Sequence, residues 1–265
     1  MKKESVYKTL WSRIKKGQSF VGEGSRVSSW LFASDPHGTQ MANLICAIDP
    51  WCDLYVAKVT EGRSGIIPVR AIQWAMDQGV DIISMSFAIL EHTNSLEDIC
   101  KEAARRGIIM LCSTHDEGFN VTKAYPADFS DTITITACDE FGAVAQTMSQ
   151  EYRYSIQGHE VAAGVVPFLE SSDRISGSSV ATAIAAGLSS LVLSCDRLAR
   201  NDDDFKQVTR KTIITKQFGM MASDNTKYLI LGKFAGIDAK IRDGTEINAR
   251  SIIKEFFKSV TYGDP

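Results

Sequence analysis

The stretch Ser176-Gly177-Ser178-Ser179-Val180-Ala181-Thr182-Ala183-Ile184-Ala185-Ala186-Gly187 holds residue types that covalent chemistry uses. Two glycines bracket hydroxyl and small side chains, and a mostly apolar run, Leu188 to Leu193, follows. A serine just after a glycine turn, at the start of a helix, can point its Oγ outward. The helix start also supplies free N–H groups that favour developing negative charge. Ser179 is therefore a candidate nucleophile, although a small-residue core helix capped by serine fits the same letters. A nucleophilic serine needs an imidazole to take its proton and a donor for the oxyanion. His37, in the turn Asp35-Pro36-His37-Gly38-Thr39, and Asp116, just past an apolar run ending at Cys112, are the residues to weigh for these places.

The elements that must position these residues read as an alternation. Met41, Leu44, Ile45 and Ile48 fall on one face of a helix that follows His37, and Leu54 to Val59 reads as a strand. Val69 to Gln78 is a helix with Pro68 near its first turn and Gly79 after its end. Val80 to Phe87 is a buried strand, and Ser95-Leu96-Glu97-Asp98 reads as a capping box for a helix running to Arg106. Ile108 to Cys112 and Thr132 to Cys138 are further strands. Tyr152 to Ile156 and Glu160 to Ala163 are short extended segments, and the Ser179 helix reaches about Arg200. Phe205 to Thr215 and Ile247 to Val260 read as amphipathic helices. Strands and helices alternating through short connections imply an α/β fold, three layers αβα around a mainly parallel sheet. In such sheets functional groups gather beyond the carboxyl ends of the strands.

Composition narrows the function. A chain of 265 residues, 44% hydrophobic, can bury a full core, and its net charge of −3 excludes a polyanion binder, so no nucleic-acid partner is expected. The locally basic start, Met1 to Lys16, has too few apolar residues for a signal segment, and no run approaches a membrane span. It reads as a solvated terminal segment, with no membrane partner and a cytoplasmic location expected. The six cysteines show no CxxC spacing and read as free thiols in a reducing compartment. The four histidines form neither an HExxH nor a Cys/His cluster, so neither metal nor other cofactor is expected. The acidic run Asn201 to Asp204 reads as a helix cap or solvent face rather than a calcium loop.

Four segments in order resemble the subtilisin-like serine proteases, the subtilase family. They are His37-Gly38-Thr39-Gln40-Met41-Ala42, the run from Ala71-Ile72-Gln73-Trp74-Ala75 through Gly79 to Ser86, the stretch Ser113 to Gly118, and Gly177-Ser178-Ser179-Val180-Ala181-Thr182. Histidine upstream of serine fits this family and excludes the α/β-hydrolase order. The resemblance implies a serine endopeptidase in which Ser179 attacks the scissile carbonyl and His37 acts as base, then acid. It also implies that Ser86, Phe87 and Ala88 pair with the extended backbone of a peptide or protein substrate by β-addition. It implies a peptidase domain over residues 31–265, preceded by a partly irregular segment, 1–30. His92, His115 and His159 carry no such motif.

Two departures from the family pattern matter. The family carries its orienting aspartate on an early apolar strand; here Glu4 and Glu23 are the only acids before Asp35, and neither lies in an apolar strand. Asp35, two residues before His37 and fixed against Pro36, is expected not to reach the imidazole Nδ1. The expectation is a chain lacking the family's first strand, a domain cut from a longer intracellular protein, or else a degenerate homologue. Second, Asp116 stands where the family usually has an asparagine for the oxyanion; an ionised carboxylate repels negative charge and donates only when protonated. In subtilisin itself, losing one oxyanion donor costs ~10²–10³ in rate and losing the orienting acid on the order of 10⁴. Ala183, where the family generally has proline, changes helix stiffness more than chemistry. The competing reading is therefore an inactive pseudoprotease that binds peptides or partner domains.

Overall fold

The computed structural model describes residues 10–21, 29–60, 68–116, 121–145, 149–166, 168–199, 208–223 and 226–230. The expected helix at 247–260, the acidic run 201–204 and Glu23 lie outside the described residues. A short helix α1 (Leu10–Arg13) leads directly into strand β1 (Ile14–Ser19). Then follow α2 (His37–Ile48), β2 (Leu54–Lys58), α3 (Pro68–Asp77), β3 (Ile82–Met85), α4 (Asn94–Arg105), β4 (Ile109–Ser113) and β5 (Ile133–Cys138). The order closes with β6 (Tyr154–Gln157), β7 (Val161–Ala162), β8 (Arg174–Ile175), α5 (Ser178–Ala199) and α6 (Arg210–Met221).

β3, β4, β5 and β6 form a four-stranded parallel sheet in that order. Every residue of β4 is buried, because helices cover both faces. The strand period of two sorts its side chains: Ile109 and Leu111 join the core under α5 and α6, while Met110 and Cys112 join the core under α3 and α4. This is the expected αβα sandwich. Truncating Leu111, 0% exposed, would cost about 2–5 kcal/mol through lost burial and an unfilled cavity.

β1 and β2 form a separate parallel pair, with Ile14 opposite Leu54 and Ser19 opposite Lys58. Among the described residues each of the two parallel sheets thus has an open margin, β2 in one and β3 in the other, and these strands are consecutive through α3. That helix straddles both sheets: Ala71 and Trp74 pack with Phe20 over β1–β2, and Ile72 and Met76 pack with Met85 over β3. β3 is only partly covered, with Ser84 exposed, in contrast to β4.

Several boundaries depart from the sequence reading. The helix after Leu90 is capped two residues earlier than the capping box predicts: Thr93 Oγ1 accepts the Leu96 N–H at 3.4 Å, and α4 starts at Asn94. α6 runs later than the segment 205–215, with Thr209 as its cap. The strand β1 has no β-rich sequence; Ile-Lys-Lys-Gly-Gln-Ser becomes a strand through its pairing with β2. It bears no aspartate.

Candidate active site

α5 is built to lie deep. Ala181, Ala183 and Ala185 are fully buried, and a Cβ at Gly187 would stand 2.8 Å from the Ile45 carbonyl oxygen of α2. Small side chains let α2 and α5 approach closely along their lengths. Met41 and Leu44 share a cluster with Val180 and Ala183, and Gly187 meets Ile45 and Ile48. The two helices therefore run in the same direction, with an offset that sets the start of α2, His37, level with the 177–179 turn. Asp196 to Ala199, at the far end of α5, are remote from this turn.

The turn before α5 requires glycine. Gly177 has φ +136°, a backbone that other residues rarely adopt, and a Cβ there would also meet Asp116 Oδ2 at 2.9 Å. Its N–H donates to the Gly158 carbonyl at 2.8 Å, and a Cβ at Gly158 would press against the Gly177 carbonyl at 2.9 Å. The loop after β6 thus clamps the serine turn from behind.

Ser178 and Ser179 diverge at this point. Ser178 is wholly buried; its Oγ accepts from Thr114 Oγ1 at 2.8 Å and from the Ala137 N–H at 3.2 Å, and Thr114 Oγ1 also lies 3.0 Å from Thr136 Oγ1. Its N–H donates to Asp116 Oδ2 at 2.7 Å, and its hydroxyl donates to the other oxygen of the same carboxylate. Asp116 therefore caps the first turn of α5 from the β4 loop, where a carboxylate complements the helix dipole. Ser179 is half-exposed, and among the described residues its hydroxyl is held only by the Ser86 carbonyl at 3.4 Å, while Ser86 Oγ donates back to the Ser179 carbonyl at 3.3 Å. Both are long for hydroxyl hydrogen bonds. The Val180 and Ala181 N–H groups return to the Gly177 carbonyl, whereas that of Ser179 has no acceptor among the described residues.

Each residue singled out in the sequence can now be located. Ser86, Phe87 and Ala88 leave the carboxyl end of β3 half-buried, beside Ser179. Among the described residues the backbone groups of Phe87 and Ala88 take no partner, and the chain is pinned again at Ile89, which exchanges hydrogen bonds with Tyr125 at 2.8 and 2.9 Å. His37 is exposed at its surface yet flanked by protein; desolvation lowers its pKa below the ordinary histidine value, opposed by the charge of Asp35. Asp35 accepts the His37 backbone N–H at 2.8 Å, an Asx turn that leads into α2, whose N-cap is Pro36. Among the described residues no side chain bonds the His37 ring, and the structure shows no direct His37–Ser179 hydrogen bond.

Sequence reading passed over the supports. Thr114, Thr136 and Ser178 form the buried hydroxyl network, for which threonines inside the apolar run 132–138 were the available signal. Gln150, 3% exposed, accepts the His115 N–H at 3.0 Å and donates to the Ala124 carbonyl at 3.2 Å, fixing the loop that carries Asp116. His92 is held by Glu97 at 2.8 Å and packs edge-on against Tyr125 and Phe129, away from this turn. His159 is exposed. Among the described residues no cluster of metal-binding side chains occurs.

A three-layer α/β sandwich with a serine and a histidine at the starts of two co-directional, closely packed helices has the architecture of a serine hydrolase. Comparison with known proteins gives the family: the subtilase family model matches residues 20–236, and the chain belongs to that family. It is 24% identical over 252 residues to the major intracellular serine protease of Bacillus subtilis (strain 168), covering 85% of this chain and 78% of that protein. It is 29% identical over 201 residues to the thermostable alkaline protease of Halalkalibacterium halodurans, covering 69% of this chain and 52% of that protein. Among solved structures, the protease domain of PatA superposes with a TM-score of 0.64 at 18% identity, over 88% of this chain and 90% of that domain.

Proposed function

We propose that the chain is a serine endopeptidase domain in which Ser179 is the nucleophile and His37 the general base. The observation that carries this reading is the state of Ser179 at the start of α5. Its hydroxyl is loosely held and half-exposed, and among the described residues its N–H and the backbone groups of nearby Phe87 and Ala88 take no partner. A peptide laid along Ser86–Ala88 in β-fashion would bring its carbonyl to Ser179. The Ser179 N–H would then donate to the developing oxyanion. Location inside the cell is supported by similarity to the intracellular protease of B. subtilis and by six free thiols.

The acid that would orient His37 is the unfilled part of this reading. We infer that it would be carried on an extended segment seated between β2 and β3, whose facing margins are unpaired among the described residues. The support is the division of the parallel strands into two sheets spanned by one helix. Without that acid, turnover would fall on the order of 10⁴-fold.

The test is labelling by a fluorophosphonate across pH. Wild type is expected to label at Ser179, and Ser179→Ala to lose the label. The acid limb of labelling should follow His37, whose neutral form is the base; because its pKa is lowered, labelling should persist below the ordinary histidine range. Equal labelling of both proteins, or of neither, would remove Ser179 as an activated nucleophile. The position of Asp116 favours a second reading, a peptide-binding pseudoprotease; binding of an extended peptide with no labelling would select it.

A further inference from the structure

The sulfur atoms of Cys46 and Cys52 stand 3.7 Å apart, both half-exposed. Cys46 lies in the last turn of α2, and Cys52 in the link from α2 to β2. The backbone between them is held firmly. Asp49, 1% exposed, accepts the Trp51 N–H at 3.0 Å and the Ser190 hydroxyl of α5 at 2.5 Å, and its carbonyl accepts the Cys52 N–H at 3.2 Å. The two side chains thus meet on a preformed turn. The remaining cysteines differ: Cys100, Cys112 and Cys138 are buried, and Cys195 is packed against the core under α5.

We propose that Cys46 and Cys52 are a reversible dithiol–disulfide couple, oxidised by peroxide at the end of the helix that begins with His37. Closing the bond needs the sulfurs to approach to about 2.0 Å, a movement within reach of side-chain rotation on a fixed turn. The roles are unequal. The Cys46 thiol is lowered by the hydrogen bond from Cys52 and by the Arg13 charge, against burial and Asp49, while Cys52 is raised by the same shared bond and by burial. Cys46 is therefore the attacking thiolate and Cys52 the resolving thiol. The Cys46 thiolate attacks one peroxide oxygen; the O–O bond breaks, and the departing hydroxide takes a proton and leaves as water. Cys52 Sγ then attacks the sulfenic Sγ of Cys46; the S–O bond breaks, and the leaving hydroxyl carries off the Cys52 proton as a second water. Two thiols are oxidised, and one peroxide is reduced to two waters. The loop closed is short, so the bond adds less by chain entropy than a long-range crosslink would, and its half-exposed sulfurs suit a reactive couple rather than a staple.

The test treats the full chain with limiting hydrogen peroxide and follows intact mass, titratable thiols and a non-reducing peptide map. Wild type is expected to lose two of its six thiols and two hydrogens, with the crosslink between Cys46 and Cys52, restored by dithiothreitol. Cys52→Ser should stop at a sulfenic acid on Cys46 that dimedone captures; Cys46→Ser should lose the rapid phase by at least about tenfold. The wild-type map decides the matter even where a variant folds poorly. A crosslink between other cysteines, six surviving thiols, or stable overoxidation of Cys46 without a crosslink would overturn the proposal.

Discussion

At the scale of single residues, the carboxylate of Asp116 has a clear engagement and an uncomfortable address. By the resemblance in sequence it would stand at the loop position of an oxyanion donor, yet both its oxygens are turned to Ser178, taking the N–H and the hydroxyl of one residue. Replacing it with asparagine keeps one acceptor for the Ser178 N–H and forces the buried Ser178 hydroxyl to find another acceptor among the Thr114 and Thr136 hydroxyls, at 2.8 and 3.4 Å. Asp116→Asn is therefore expected to lower stability by about 1.5–3 kcal/mol, the worth of a hydrogen bond to a charged group, read by denaturant unfolding. Hydrolysis per folded molecule should be preserved or raised, because a negative group beside the oxyanion is exchanged for a neutral one that can donate. A large fall in hydrolysis with unchanged stability would mean that the carboxylate takes part in the chemistry.

Among the elements, α5 holds the site by what it lacks. Gly187 abuts the backbone of α2, which cannot swing aside as the tip of a side chain can. Gly187→Ala should therefore cost about 1–3 kcal/mol through overpacking, despite the gain in helix propensity, and should weaken Ser179 labelling because α2 carries His37. Gly219→Ala in α6 is the control: a Cβ there meets nothing within 4 Å, and about 0.5–1 kcal/mol of stabilisation is expected. Equal effects at both positions in a thermal melt would refute the close α2–α5 contact as the reason. The sequence made much of this visible, since small residues and flanking glycines pointed to a buried helix with Ser179 at its start. The β4 and β5 strands were legible from apolar runs alone, as continuous burial on both faces demands. β1 was not, because lysine, glycine and glutamine carry no strand signal and only β2 makes that segment a strand. The cap of Asp116 on Ser178 was also hidden, since it joins residues 62 positions apart.

For the whole molecule, the decisive feature is the interruption between β2 and β3. A parallel strand directs alternate N–H groups to its two neighbours, so half of the amides of Ile82–Met85 face β4 and half face the open margin. Two unpaired strand edges facing each other are unusual, because their unpaired backbone groups invite another strand. Hydrogen exchange resolved to single amides can show whether the gap persists in solution. In the chain as described, the outward amides of β3 and β2 should exchange with little protection, while those of β4 and β5, paired on both sides, should report the global stability. Protection of the outward β3 amides to the level of β4 would mean that an extended segment already fills the gap. The orienting acid for His37 would then be sought on that segment by substituting its carboxylates and reading Ser179 labelling.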